Sequence, residues 1–284
     1  MYRIGLILLF SLSVLFQGGC RAPLPPISDK PPLSCPGKGS MEEVIQALAL
    51  KRANLHPLKA SARCYLEWVN PDGSSQKESF DAQFRYVPPD CLFIRGDKFG
   101  EIRFGTNEEA FWMMVKPEID TYWWGKRQSA EQCKEKLQFN PWNVIEALGV
   151  VEVDSSWVLN WHNGYDVLTL TNPEGVIVKK IWIRACDYQV ISIESADPEG
   201  GYLVQLNMDH YVSTEQGFSV PSVIEARHFW QGRMDAVLRL ELRGVGLFEV
   251  PPDRLHRLFS RPSEENYRTV YRLSPTCDFV LVGQ

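Results

Sequence analysis

The sequence predicts a mainly β, α+β fold: a half-open antiparallel β-barrel of about 11–13 strands, with helices as a lid or plug. Three observations lead there. Segments of period-two alternation succeed one another along most of the chain. Turn signals built from Gly, Pro, Asn and Asp stand between them at short intervals. Helical spacing is confined to a few short stretches.

The elements follow in order. Ser40-Met41-Glu42-Glu43 forms a capping box, and Val44, Ile45, Leu48, Ala49, Arg52 and Leu55 recur behind it at helical spacing. Residues 41–55 therefore read as a helix that stops before Pro57. Alternation then takes over. Ala60, Ala62, Cys64, Leu66 and Trp68 share one face, while Lys59, Ser61, Arg63, Tyr65 and Glu67 share the other. After the Asn70-Pro71-Asp72-Gly73 turn, Phe80, Ala82, Phe84 and Tyr86 repeat the pattern. Pro88-Pro89 interrupts, and shorter strands follow at residues 91–95, 101–104, 110–116 and 121–124.

Residues 129–137 read as a polar helix or loop. Pro141 at the first position and Gly149 at the close frame a short helix, whose buried side is Trp142, Ile145, Ala147 and Leu148. Strands resume at 157–161, 165–171, 176–184, 189–195, 202–211, 220–230 and 234–243. Asn163-Gly164, Asn172-Pro173-Glu174-Gly175, Pro198-Glu199-Gly200-Gly201 and Gln231-Gly232 are turns between them. A last short helix at 253–259 follows Pro251-Pro252. Consecutive, hairpin-linked strands favour one strongly curved sheet over a sandwich.

The N-terminus has a separate character. Met-Tyr-Arg precedes an apolar run from residue 4 to 16, and then come Gln17, Gly18, Gly19 and Cys20. That is the layout of a secretory signal. The run is too short to cross a bilayer, which takes about 20 apolar residues. Its ending resembles the bacterial lipobox, which implies a diacylglyceryl group on the Cys20 thiol, with palmitate among the acyl chains, and a membrane anchor. Gln17 stands where the lipobox carries Leu. The other reading is an ordinary secretory signal, with Cys20 one cysteine among seven. Residues 21–39 are rich in Pro, Ser, Gly and Lys, the composition of a stiff spacer that buries little.

Composition narrows the function classes. The net charge is −5 and no Lys/Arg block stands out, which excludes the phosphate neutralisation that nucleic-acid binding needs. Beyond Cys20 there are Cys35, Cys64, Cys91, Cys133, Cys186 and Cys277. They form no C-x-x-C and have no His pair nearby, so no metal or other cofactor is expected. Export permits disulfides. Connectivity stays open, and cysteines inside apolar strands read equally well as small hydrophobes. His56, His162, His210, His228 and His256 are scattered and none sits in H-E-x-x-H; G-x-S-x-G is absent. Gly37-Lys38-Gly39-Ser40 lacks P-loop spacing and reads as a linker running into the Ser40 cap. Asp209-His210 reads as structural, and no catalytic residues are expected.

The second half carries a recognisable order. It runs through Ile181-Trp182-Ile183-Arg184, Asp187, Val190-Ile191-Ser192-Ile193, Asp197-Pro198-Glu199-Gly200, Asp209-His210-Tyr211, Gly217 and Val220-Pro221. It then reaches Val237-Leu238-Arg239-Leu240-Glu241-Leu242 and closes at Leu255 to Phe259, near prolines. This order of strands and turns resembles the LolA/LolB-like superfamily of lipoprotein-sorting carriers and receptors. The first half agrees in layout, so the resemblance covers roughly residues 40–260. It implies an incomplete antiparallel barrel with helices over an apolar cavity that holds acyl chains. The superfamily's receptor also bears a protruding loop with an exposed apolar residue. Here the corresponding loop at residues 70–77 is polar.

The expected organisation is residues 1–19 as signal peptide, 20–39 as lipidated Cys and linker, 40–262 as the half-barrel domain and 263–284 as a C-terminal extension. The expected cavity residues are Ala62, Leu66, Trp68, Phe80, Phe84, Tyr86, Trp112 and Met114, which serve equally well as a filled core. Trp123-Trp124 reads as packing.

Three functional readings follow. The first is an envelope lipoprotein that binds lipid or an acylated protein, lipid-anchored and facing the periplasm, with the outer membrane ahead of the inner. The second is a structural or signalling envelope lipoprotein that binds a protein partner through the same fold. The third is an envelope hydrolase, which needs a buried, convergent acid–base pair. Nucleic acid is not an expected partner.

Overall fold

The computed structural model describes residues 35–69, 73–97, 100–117, 120–133, 137–249 and 251–283. The signal segment, Cys20, the spacer up to residue 34 and residues 70–72 of the first turn lie outside the described residues.

Helix α1 is Met41–Ala53 and is followed by β1 (Leu58–Val69), β2 (Ser75–Val87), β3 (Cys91–Asp97), β4 (Gly100–Thr106), β5 (Ala110–Pro117) and β6 (Thr121–Lys126). Two short helices, α2 (Arg127–Gln132) and α3 (Pro141–Ala147), interrupt the strands. Then come β7 (Val158–His162), β8 (Tyr165–Thr171), β9 (Ile177–Arg184), β10 (Gln189–Ala196), β11 (Tyr202–Ser213), β12 (Ser219–Trp230) and β13 (Arg233–Leu247). Helix α4 (Pro252–Phe259), β14 (Thr269–Leu273) and β15 (Phe279–Gly283) complete the chain.

The expected thirteen strands are all present, and residues 263–284 add β14 and β15 to the edge of the same sheet. The described residues thus form one sheet of 15 strands, ordered β15-β14-β6-β5-β4-β3-β2-β1-β13-β12-β11-β10-β9-β8-β7. Two meanders, β1–β6 and β7–β13, are joined where β1 pairs antiparallel with β13. The outer edges β7 and β15 do not pair with each other, so the sheet stays open. All pairs are antiparallel except β14 on β6.

Local chemistry fixes the joints. The Glu43 N–H donates to Ser40 Oγ at 3.3 Å and the Gly39 N–H donates to the Glu43 carboxylate at 3.1 Å, a reciprocal cap that starts α1. Asn140 caps α3 through Trp142 N at 3.0 Å, with Pro141 behind it. The β7–β8 turn has positive φ at both Asn163 and Gly164, the geometry that a two-residue hairpin requires.

Cross-strand register sorts the faces. On the inner face Ala62 lies opposite Ala82 and Leu242, and Cys64 opposite Phe80 and Leu240. These residues are buried together with Val44 and Leu48 of α1 and Val144, Ile145, Ala147 and Leu148 around α3. The helices therefore fill the inner face. On the outer face Arg63 meets Asp81 at 3.2 Å, Arg227 meets Glu225 at 2.6 Å and Arg239 meets Glu241 at 3.0 Å. Such exposed pairs contribute about 0–1 kcal/mol each and mainly mark the solvent side.

Two disulfides form, Cys35–Cys186 and Cys133–Cys277. They span 151 and 144 residues, so by chain entropy each removes on the order of 5 kcal/mol of unfolded-state freedom. Cys64 is free and buried on β1, where desolvation pushes its thiol up to about 12, so it packs as a small apolar group. Trp123 stacks on Tyr271, and Trp124 lies under the Arg261 guanidinium at 3.9 Å, so the Trp pair is engaged in packing.

Gly105 has no room for a side chain: a Cβ there would meet the Trp112 ring at 2.3 Å. Gly105→Ala is expected to lower stability by about 1–3 kcal/mol, the cost of overpacking, measured by urea unfolding. An unchanged midpoint would show that β4 and β5 can part without loss.

Candidate functional site

A cavity of about 420 Å³ opens at one end of the sheet. Its walls come from the C-terminal half of α1, the residues after α3, the β9–β10 turn and the start of β10, the end of β11 and the β11–β12 hairpin. These elements meet there because antiparallel connectivity places the β9–β10 and β11–β12 turns at the same end as the start of β1, and α1 runs into β1 through four residues.

The lining is divided by chemistry. Leu48, Leu55, Leu148, Val190 and Phe218 are apolar. Lys51, Asp187, Gln189, His56 and Tyr211 are polar. His56 leans against Phe218, with ring centroids 5.5 Å apart. The Tyr211 hydroxyl donates to the Val190 carbonyl, and burial pushes its titration well above the ordinary tyrosine range. Asp187 accepts from Arg184 through both oxygens, at 2.9 Å from Nε and 2.5 Å from the terminal nitrogen. Lys51 is half-buried, and desolvation lowers its pKa; the Arg184 charge acts in the same direction and Asp187 against it. Gln189 is buried, and its side-chain oxygen has no hydrogen-bond partner.

A second, shallower cavity of about 450 Å³ lies where the N-terminal segment meets the sheet edge, lined by Cys35, Pro36, Gly37, Lys38 and the exposed Trp161. This segment is docked specifically. Cys35 is bonded to Cys186, and the Lys38 N–H donates to the fully buried Asp166 carboxylate at 3.0 Å. A Cβ on Gly37 would lie 2.0 Å from Asp166 Oδ1, so only glycine allows the backbone this close. The Lys38 and Gly39 N–H groups are both committed to carboxylates, which leaves neither free for a phosphate as in a P-loop. Cys186 adjoins Asp187, so the segment is fastened beside the rim of the larger cavity.

The residues expected from sequence to line a cavity fall in two hydrophobic clusters. Ala62, Leu66, Phe80, Phe84 and Tyr86 are buried in the main core, with Trp68 packed at its margin. Trp112 and Met114 form a different cluster with Tyr122 and Val270. Register explains the separation. Trp112 pairs with Gly105, which pairs with Phe93, which pairs with Arg85, on the outer face. Alternation within β5 alone cannot reveal which of its faces continues the inner face of β1 and β2. None of the eight lines either cavity. Gln189 and Lys51 carried no sequence signal, because their placement depends on a turn and a helix end that meet only in three dimensions.

Titratable pairs away from the cavity are structural ties. His210 and Asp209 are exposed. His228 is buried, 2.6 Å from Asp235, whose second oxygen accepts from Gln138 at 3.1 Å. Gln138 also donates to the Val69 carbonyl, so this group links the segment before α3 to β1 and β13. Neither cavity reaches it. Among the described residues no group of His, Cys, Asp and Glu could hold a metal ion, and no helix is long and apolar enough to cross a membrane.

No family model and no curated protein matches the sequence. Solved structures do. A LolA superfamily protein, NE2245 from Nitrosomonas europaea, is similar at 10% identity over 78% of this chain and 97% of that one, with a TM-score of 0.47. A putative outer membrane lipoprotein-sorting protein domain from Vibrio parahaemolyticus is similar at 12% identity over 76% and 95%, with a TM-score of 0.46. A DUF1329 family protein from Desulfovibrio piger is similar at 9% identity over 77% and 97%, with a TM-score of 0.50. The last likeness is one of fold. The open antiparallel sheet with its helical filling is the architecture that the LolA/LolB-like resemblance implies.

Asp166→Ala and Gly37→Ala are each expected to loosen the docked segment. The Lys38 amide should exchange hydrogen at least about tenfold faster, and Cys35–Cys186 should be reduced sooner by dithiothreitol. Unchanged exchange would show that the disulfide alone holds the segment.

Proposed function

We propose that this protein is a bacterial envelope lipoprotein, anchored through an acylated Cys20, that takes up an acyl chain in the mouth of its half-barrel as part of lipid or lipoprotein trafficking. One observation carries the reading. Cys35 is bonded to Cys186 beside a cavity whose lining combines Leu48, Leu55, Leu148, Val190 and Phe218 with the charged Lys51 and Asp187. Its volume lies within the range of small-ligand pockets. Each buried CH₂ contributes about 0.8 kcal/mol, so a chain is retained without a specific polar contact. The acyl chain would meet Leu48, Leu148, Val190 and Phe218 at the mouth.

Two measurements test it. In bacteria fed a clickable palmitate analogue, the wild-type chain should take up label and Cys20→Ser should lose it. Label retained in the variant would remove the anchor from the reading. In vesicles containing a trace of phospholipid with a photoreactive acyl tail, crosslinks are expected in peptides covering residues 48–56 and 216–219. Leu148→Trp, which fills the cavity, should cut that yield about tenfold, equivalent to about 1.4 kcal/mol. No crosslinks to those peptides would overturn acyl-chain binding.

A second reading, docking of a protein partner, has its own observation. Phe279, Val280, Leu281 and Val282 are 39–47% exposed on β15, an edge strand paired on one side only. An uncovered apolar edge is a template for a strand from another chain. Val280→Lys should abolish co-purification of an envelope protein if this reading holds, and leave lipid crosslinking intact.

A further inference from the structure

Gln189 gives the cavity a feature that a plain acyl-chain slot does not require. Its side-chain oxygen is an acceptor in a buried position with no donor on it, at the polar part of the wall. Its own backbone N–H is committed to Asp187 Oδ1 at 3.3 Å. The nearby Tyr211 hydroxyl is committed to the Val190 carbonyl. Neither can turn to satisfy the amide oxygen. A buried acceptor without a donor from the protein is costly, so a guest that donates a hydrogen bond there is favoured over one that cannot.

Lys51 gives the same cavity its charge. It forms no salt bridge among the described residues. Asp187, which also lines the cavity, is already held bidentately by Arg184. Lys51 therefore brings to the cavity an ammonium that no carboxylate of the described residues holds directly.

We propose that the cavity selects its amphiphile by head group, placing an anionic phosphoryl group at Lys51 and a hydrogen-bond-donating amine or hydroxyl on the Gln189 oxygen, with the acyl chain against Leu48, Leu148 and Val190. This rests on the acyl-chain reading above. Phosphoethanolamine and phosphoglycerol heads carry both features. Phosphocholine has the same phosphate but a quaternary nitrogen without an N–H, and a free fatty acid carboxylate offers no donor.

The experiment uses the full acylated chain reconstituted in vesicles of equal parts phosphatidylethanolamine, phosphatidylglycerol and phosphatidylcholine. In three parallel preparations a trace of one lipid bears a diazirine in its tail. Crosslink yield at peptides covering residues 48–56 and 187–190 is read by mass spectrometry. The ethanolamine and glycerol lipids are expected to exceed the choline lipid about fivefold, near 1 kcal/mol. Gln189→Leu should bring that ratio to about one while crosslinks persist. Lys51→Met, at a half-exposed position that leaves the core alone, should lower the yield of all three phospholipids. Equal yields for choline lipid in the unaltered protein, or a ratio unmoved by Gln189→Leu, would overturn head-group selection and leave acyl-chain binding standing. No cavity crosslinks with any lipid would overturn both.

Discussion

The pairing of β1 with β13 holds the two meanders in one sheet, and the rest of the architecture depends on its register. Cys64 faces Leu240, and Leu66 faces Leu238, with Arg63, Tyr65, Arg239 and Glu241 turned outward. A slip of one residue would carry Arg239 and Glu241 to the inner face and expose the leucines. Burying unpaired charge costs far more than the pairing returns, so the register is set by the pattern itself. The same pairing fixes where the mouth lies. Because β1 begins only four residues after α1 ends, α1 must stand at the end where β1 starts, and the turns at that end become its neighbours.

The filling of the inner face shapes what the molecule can do. Helices α1 and α3, with Leu148 at the C-cap of α3, pack Val44, Leu48, Val144, Ile145 and Leu148 into the main core. A cavity opens near the rim, where the close of α1 meets the β9–β10 turn. A site of that kind is bordered by backbone turns and by the polar ends of helices and strands. Charge and hydrogen-bonding groups are therefore part of its wall.

Much of the fold was legible because the devices that make it are local. The Ser40 cap, the Asn163-Gly164 hairpin, Pro141 before α3 and the alternation through β1 and β2 are each written in a few adjacent residues. What was not legible depends on relations between distant segments. The faces of Trp112 and Met114 follow from a register passed through β4 and β3. The pairing of Cys35 with Cys186 and of Cys133 with Cys277 joins residues more than 140 positions apart. β14 and β15 attach to the edge through a parallel contact with β6 that no hairpin signal announces. The polar site behaves the same way, since Lys51 is an ordinary helix residue until the β9–β10 turn comes beside it.

The bond between Cys35 and Cys186 also settles how the domain answers to force. β7 and β8 sit at the margin of the sheet, and a leader attached there by hydrogen bonds alone would unzip them one rung at a time when pulled. With a covalent link to the loop between β9 and β10, tension on the leader bypasses those rungs and enters the sheet two strands further in. The hydrogen bonds of that margin are thereby spared whatever tension reaches Cys35.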